Sequence, residues 1–478
     1  MEREESGDGV ADHVQLNTVY SRPGYGLNGR PIRIALNHYK VDRAPIAKIH
    51  QYNVMVDNGG ASRALQKKLW HHEKLQSVLG PARDYVLYDG ASLAWSVHPI
   101  QFDSEMDSFL EVDIDLDEEK RVKPKRPCTH HVSLRRAGEI DLHVVEAFIT
   151  KQRGGDNSVI LGVNFYDHLL REMPSRRFIT TKRSFFQNKS ILTLEGGVEA
   201  WKGIFQSVRP TLGALSINVD MATCVFWSTG LLLDSVLRLV GLTSPDQLAT
   251  RLSIPADPVR RELRKLKKLG FKIKHRGVDA EYLKYSVEGV TDMGANKYEC
   301  KVIRDSVPTT ISLEQYYLEV YSYRIKFPAL PLIRTRFKGV VFPMELCHIY
   351  EGQRYGHKLN EKQTTDMIRF TAQRPNERRR DIQRNVEVLG WSRDPYLNAY
   401  GMEISIKMTE TSGRLLSTPK IIYGSGSRET VMSPREGKWN LQGQRLADVR
   451  GVGLCRLTQA GHTFVVGGHG HGLTTAPA

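Results

Sequence analysis

Asp257 and Pro258 open a helix whose apolar face, Val259, Leu263, Leu266 and Leu269, continues until Gly270 closes it, while nearly every other position is basic. Such a segment must bury one side and turn the other to water or to a polyanion. From Arg260 to Arg276 there are nine Lys or Arg against one acid, Glu262, with His275 inside the run. Downstream stand Tyr282, Tyr285, Tyr298, Tyr316, Tyr317, Tyr321 and Tyr323. Cations attract phosphate without reading sequence, and phenol rings stack on bases while their hydroxyls reach phosphate oxygens. Two readings stay open: a solvated helix face beside core tyrosines, or a surface for single-stranded nucleic acid.

The formal charge of +15 suits a polyanion, though it also serves solubility or an acidic membrane surface. The 478 residues favour two to four domains. The five cysteines are odd in number, far apart and without Cys-x-x-Cys spacing, which points to neither disulfides nor structural zinc and to a reducing compartment. Leu231 to Leu242, the most apolar stretch, is interrupted by Asp234 and Arg238 and too short to span a bilayer. The acidic N-terminus reads as no signal peptide, so a soluble, intracellular chain without membrane contact is expected.

Alternation at Ile32, Ile34 and Leu36, and at Tyr52, Val54 and Val56, reads as antiparallel strands. Ser62 to Leu79 reads as one helix stopped by Gly80-Pro81, and Asp89-Gly90 as a hairpin turn. Leu110 to Asp117 alternates apolar and acidic residues, an exposed strand with its acids along one face, followed by a basic loop from Lys120 to Arg126. Cys128, His130 and His131 have no second ligand pair and read as a loop. Helices are expected at 141–149 and at 164–173, the second capped by Asn164 and ended before Pro174. The first 180 residues read as one α+β domain. A further helix starts at Ser312, with Gln315 completing a capping box, and the short runs past Pro328 have the rhythm of a small barrel with a helical insertion.

Two stretches are more specific than composition: SFFQNKSILTLEGGVEAWKGIFQSVRPTLGALSINVD (184–220), and the run from QYYLEVYSYRIKFPALP to MELCHIYEGQRYGHKL (315–359). They resemble eukaryotic Argonaute proteins, the first in the linker between the N-terminal and PAZ domains, the second in the PAZ domain. Arg22-Pro23-Gly24-Tyr25-Gly26, Gly29, Tyr52, Asp394-Pro395, Gly401, Pro419, Tyr423-Gly424 and Gly437-Lys438-Trp439 extend the similarity in family order over about 20–446. The resemblance implies an α+β multidomain chain. Its parts would be a flexible leader (1–19), N-terminal domain (20–180), linker 1 (181–240), PAZ domain (241–365), linker 2 (366–446) and a disordered, Gly- and His-rich tail (447–478). The PAZ domain would be an OB-like small barrel with an inserted α/β element.

In that family the PAZ pocket holds the 3′ end of a small guide RNA. Carried over by position, His275, Tyr285, Tyr316 and Tyr321 would bind the terminal phosphate and Tyr298 would stack. Tyr298 lies beyond a segment, 288–297, that reads as a loop longer than usual in the family. Leu283 stands where many relatives place an Arg, a loss that Lys284 or Arg276 would offset; Lys274 adds general attraction. Argonaute slicing belongs to a PIWI domain beyond the similarity, as does the middle domain that takes the guide's 5′ phosphate. The expectation is a noncatalytic RNA-binding protein of RNA silencing, without cofactor or metal. Its location would be cytoplasmic, or cytoplasmic and nuclear, and its partners an siRNA or miRNA-like guide and other silencing proteins. The alternatives are a fragment of a full Argonaute endoribonuclease and a scaffold or decoy that does not bind RNA. Isolated His469 and His471, and Gly451-Val452-Gly453, carry no metal or nucleotide assignment.

Overall fold

A computed structural model describes residues 26–45, 48–101, 109–115, 129–211, 213–254, 256–273, 284–304, 307–337, 339–435 and 437–445, with short strands at 454–459, 462–467 and 474–475. These residues fall into two compact units, the first running from 37 to 408.

At the start of the first unit, five antiparallel strands lie in the order Leu87–Tyr88, Leu93–Ser96, Lys48–Val56, Thr129–Asp141 and Phe109–Asp115. Alternation does the sorting: Leu110, Val112 and Ile114 are buried, while Glu111 and Asp113 face outward. His130 and His131, expected in a loop, lie in the neighbouring strand. There His130 Nδ1 sits 2.6 Å from Asp57, in the turn that follows Lys48–Val56, and His131 Nδ1 2.9 Å from Asp113, its directly opposite cross-strand partner. No metal-binding cluster occurs among the described residues. The Asp89-Gly90 turn joins its two strands as expected, with Asp89 accepting from the amides of Ala91, Ser92 and Leu93.

The helix expected over 62–79 is two, Arg63–Trp70 and Glu73–Leu79: the first ends at His71, and His72 caps the second by accepting from Lys74 N. The helix expected from Asn164 instead runs Asn157–Arg177, started by the Asp156 carboxylate on the amides of Ser158 and Val159. It passes straight through Pro174. A proline there vacates the Leu170 carbonyl, and the buried Gln206 side chain fills the gap by donating to that oxygen at 2.8 Å.

The strands Val198–Thr211 and Ala214–Trp227 pair along their whole length, from Thr211 opposite Ala214 to Val198 opposite Trp227. Fully buried Trp201 and Phe226, 4.5 Å apart, close one face with Phe186. Leu232–Val240 is a short helix ended by left-handed Gly241; no described helix is long and apolar enough to cross a membrane.

The next part is a six-stranded antiparallel sheet, in the order Gly230–Leu231, Cys347–Ile349, Gly270–Ile273, Tyr285–Gly294, Pro331–Thr335 and Val341–Phe342. Between its fourth and fifth strands the chain leaves to form a separate hairpin, Glu299–Arg304 with Val307–Ser312, and the helix Leu313–Tyr321. The rhythm past Pro328 suggested a small barrel with a helical insertion; the insertion carries this hairpin as well as its helix. Most of 288–297, read as a loop, is strand: two register breaks, before Gly289 and before Gly294, keep it paired with 331–335 while accommodating its turn-forming residues. The basic helix keeps Val259, Leu263, Leu266 and Leu269 buried, but it ends at Leu263 with a 3-10 turn to Leu266, before Gly270. Left-handed Lys268 turns the chain into the strand.

The second unit contains residues 26–36 and those from 409 on. Left-handed Gly29 packs so closely that a Cβ would lie 2.7 Å from the Leu415 carbonyl oxygen, and Arg33 pairs with Glu410. Val431–Met432, Lys420–Ile422, Leu454–Gln459, His462–Gly467 and Thr474–Thr475 form a five-stranded sheet. Three of these strands fall where composition suggested no regular structure. Lys120 to Arg126, Gly451 to Gly453, His469 and His471 lie outside the described residues.

Candidate nucleic-acid interface

The first aromatic site forms where Gly270–Ile273 pairs with Tyr285–Gly294. Register sets Tyr285 opposite Phe271, and their rings stack at 5.8 Å and 25°. Phe342 meets Tyr285 edge-on at 4.8 Å. Phe337, 47% exposed, approaches the same ring at 6.5 Å, with the Arg336 guanidinium 4.9 Å above the Phe337 ring. Tyr285 therefore has the barrel core behind it and an exposed aromatic and cation beside it. Arg336 and Phe337 were missed in the sequence, although interleaved basic and aromatic residues at 334–337 were the signal.

A second group stands on the inserted helix. Ser312 caps that helix by accepting from Gln315 N, but the Gln315 side chain donates to Glu319 instead of completing the expected capping box. Tyr317 and Leu313 point into the core. Tyr316 and Tyr321 are half-buried beside them, with ring centroids 5.8 Å apart at 81°. Tyr298 lies at the base of the insertion, half-buried against the same core; its amide donates to the Gly294 carbonyl and its own carbonyl accepts from Leu313 N at 2.8 Å.

The structure thus brings Tyr316 and Tyr321 together and seats Tyr285 and Tyr298 on the same apolar cluster. Tyr317 and Tyr323 are structural. Tyr323 donates to Glu345 at 2.9 Å, and burial with that carboxylate pushes its hydroxyl up to about 12. Lys284 is exposed, but its ammonium sits 5.0 Å over the Tyr350 ring. His275, Lys274, Arg276, Leu283 and Tyr282 lie outside the described residues.

Part of the basic run is already neutralised. Arg260 pairs with Asp292 at 3.0 Å, Lys265 with Glu262 at 2.6 Å and Lys267 with Glu288 at 2.7 Å. Lys267 holds the Glu288 carboxyl below its ordinary range, first through the hydrogen bond. Two of these acids come from the bulged strand, which is why reading the helix alone overstated its available charge. Arg261, Arg264 and Lys268 remain exposed.

With this geometry, comparison with known proteins becomes specific. Models described as the N-terminal domain of argonaute, the Argonaute linker 1 domain, the PAZ domain and the Argonaute linker 2 domain match residues 30–170, 180–228, 255–368 and 377–423, in that order. The chain belongs to the Argonaute family. Protein argonaute of Schizosaccharomyces pombe is 34% identical over 431 residues, covering 89% of this chain and 49% of that protein. Protein argonaute 1D of Oryza sativa subsp. japonica is 31% identical, covering 93% of this chain and 42% of its own length. A crystal structure of Kluyveromyces polysporus Argonaute with a guide RNA superposes with a TM-score of 0.55 at 16% identity, over 90% of this chain and 51% of that one, a likeness of fold. The chain spans about half the length of the curated Argonautes it matches, and no model of the middle or PIWI domain matches it. The inserted tyrosine helix and the strand bearing Tyr285 both lie inside the PAZ match.

Proposed function

We propose that this Argonaute-family chain binds the 3′ end of a small single-stranded guide RNA in RNA silencing, through the PAZ-domain tyrosines. The observation that carries this reading is the edge-to-face pair Tyr316 and Tyr321, held half-buried on a capped helix inside the PAZ match. Two phenol O–H donors on supported rings suit a terminal phosphodiester, because they need no paired base. Tyr285, with Phe337 and Arg336 beside it, supplies stacking surface and charge. His275 and Tyr298 complete the proposed set, and Arg276, Lys284 and Lys274 add general attraction. Affinity for an isolated end is on the order of micromolar or weaker, since a few charge-assisted bonds and one or two stacks oppose the entropy of association.

This segment itself cuts nothing in the proposed reading: the matched regions are N-terminal, linker and PAZ. A second reading, an N-terminal part of a guide-directed endoribonuclease, is favoured by one observation, the coverage of only 49% of the S. pombe relative. Sequencing the transcript across codon 446 decides between them. A cytoplasmic, or cytoplasmic and nuclear, site of action and contacts with other silencing proteins belong to both.

Binding of short RNAs with free and blocked 3′ ends, to the wild type and to Tyr316→Phe with Tyr321→Phe, tests the pocket. Preference for the free end that the double substitution abolishes supports it. Equal binding in all combinations would overturn it, and no binding in any would leave a scaffold or decoy.

A further inference from the structure

A second cluster of cations stands in the N-terminal domain, remote in sequence from the PAZ tyrosines. Helix Arg63–Trp70 presents Arg63 and Lys67 one turn apart, and helix Asn157–Arg177 presents His168, Arg171 and Ser175 at the same kind of spacing. Both rows line one cavity of about 660 Å³, closed on a third side by the Tyr88–Ala91 turn. That volume suits a small ligand.

The charges in this cavity do not cancel. Of its acids, Glu172 is held by Arg176 at 2.9 Å, and Asp89 is engaged by three backbone amides of its own turn. Among the described residues no ion pair within 4 Å joins Arg63, Lys67 or Arg171; Asp167, which favours the Arg171 charge, is itself paired with Arg183. Arg171 is the telling member: one nitrogen donates to the Lys182 carbonyl at 2.8 Å, while its buried Nε has no hydrogen-bond partner. A buried guanidinium N–H without an acceptor is costly unless something brings one. The two histidines feel the same surplus. Burial, then Arg176 and Lys67, hold His71 below its ordinary range, and burial, then Arg171, does so for His168. The lysine arm is also placed: Lys67 lies across Gly90 so closely that a Cβ there would fall 2.5 Å from its Cε.

We propose that this cavity binds a phosphate group, with Arg63, Lys67 and Arg171 as its cationic ligands and His71 and His168 as neutral N–H donors. A guanidinium fork and an ammonium converging in a partly dehydrated recess fit a tetrahedral oxyanion better than an apolar ligand. The phosphate could come from a free anion or from the end of an RNA strand, and both present the same oxygens. This site does not rest on the PAZ reading.

Calorimetric titration of the full chain with pyrophosphate, and separately with 3′-blocked RNA bearing or lacking a 5′ phosphate, tests the proposal. Saturable pyrophosphate binding should weaken about tenfold or more in Lys67→Gln and in Arg171→Gln, and stay unchanged in Tyr316→Phe with Tyr321→Phe. Lys67 is exposed, so its variant should melt like the wild type and separates loss of ligand from loss of fold. A gain from the RNA 5′ phosphate that Lys67→Gln removes assigns the strand end as source; pyrophosphate binding without that gain assigns a free anion. Absence of saturation with either probe, or wild-type affinity in Lys67→Gln, overturns the site.

Discussion

Tyr316 and Tyr321 meet edge to face at 5.8 Å, and Tyr321 also leans on buried Tyr317 at 5.3 Å. The two proposed phosphate donors are therefore also each other's packing. Tyr321→Phe keeps that contact and should leave hydrogen-exchange protection of the Leu313–Tyr321 helix intact. Tyr321→Ala should lower that protection by about 1 to 2 kcal/mol, the worth of an aromatic pair plus part of its burial.

Glu345 accepts from the Tyr323 hydroxyl and from the amides of Lys326 and Phe327, all at 2.9 Å. Glu345→Ala leaves the part-buried Phe327 amide without its acceptor and should destabilise the return limb of the insertion by about 2 to 3 kcal/mol, more than the about 1 kcal/mol expected for Tyr323→Phe. Amide exchange at 326 and 327 reads the difference directly.

Gly294 lies where the strand meets the insertion, and a Cβ there would come within 2.3 Å of the Pro328 carbonyl oxygen and 2.7 Å of Ala329 backbone carbon. Backbone cannot step aside as a side chain can. Gly294→Ala should cost about 3 kcal/mol or more and lower the melting temperature. Gly213→Ala, where nothing lies within 4 Å but φ is +79°, should cost only the milder strain of a left-handed residue.

Asp394 caps the Pro395–Ala399 helix through the amides of Tyr396 and Leu397, and burial pushes its carboxyl up to about 6. The folded chain then holds a proton that the unfolded chain has released between pH about 4 and 6, so this group lowers stability as pH rises through that window. Asp394→Asn retains a capping oxygen without the charge. Melts at pH 5 and pH 8 should differ less in the variant than in the wild type, and the variant should equal or exceed the wild type at pH 8.

Much of the fold was legible where one period ruled a segment. Leu110, Val112 and Ile114 announced their strand, Val259 to Leu269 their buried face, and Ser312 its helix start. What escaped depends on partners distant in the chain. Pro174 looked like a helix end because the residue that compensates it, Gln206, belongs to another strand. Glu288 and Asp292 looked like loop residues because bulged pairing with 331–335 is not visible locally. The same acids revise the candidate site, since they occupy Lys267 and Arg260. Tyr323 could not be told from Tyr321 by type; only Glu345 makes one structural. The cavity between residues 63 and 176 escaped because its two basic rows meet only in the fold.

The inserted hairpin and helix begin and end at a single point: Gly294 pairs with Pro331, and the Asn296 amide donates across that gap to the Pro328 carbonyl. A segment tethered so behaves as a cassette on the barrel. Substitutions at the outer end of the hairpin, where Arg304 pairs with Val307, should therefore leave the strand that carries Tyr285 in register. Exchanging the hairpin between relatives is thus a route to altering the proposed contact with a strand's last nucleotides while the sheet beneath keeps its register.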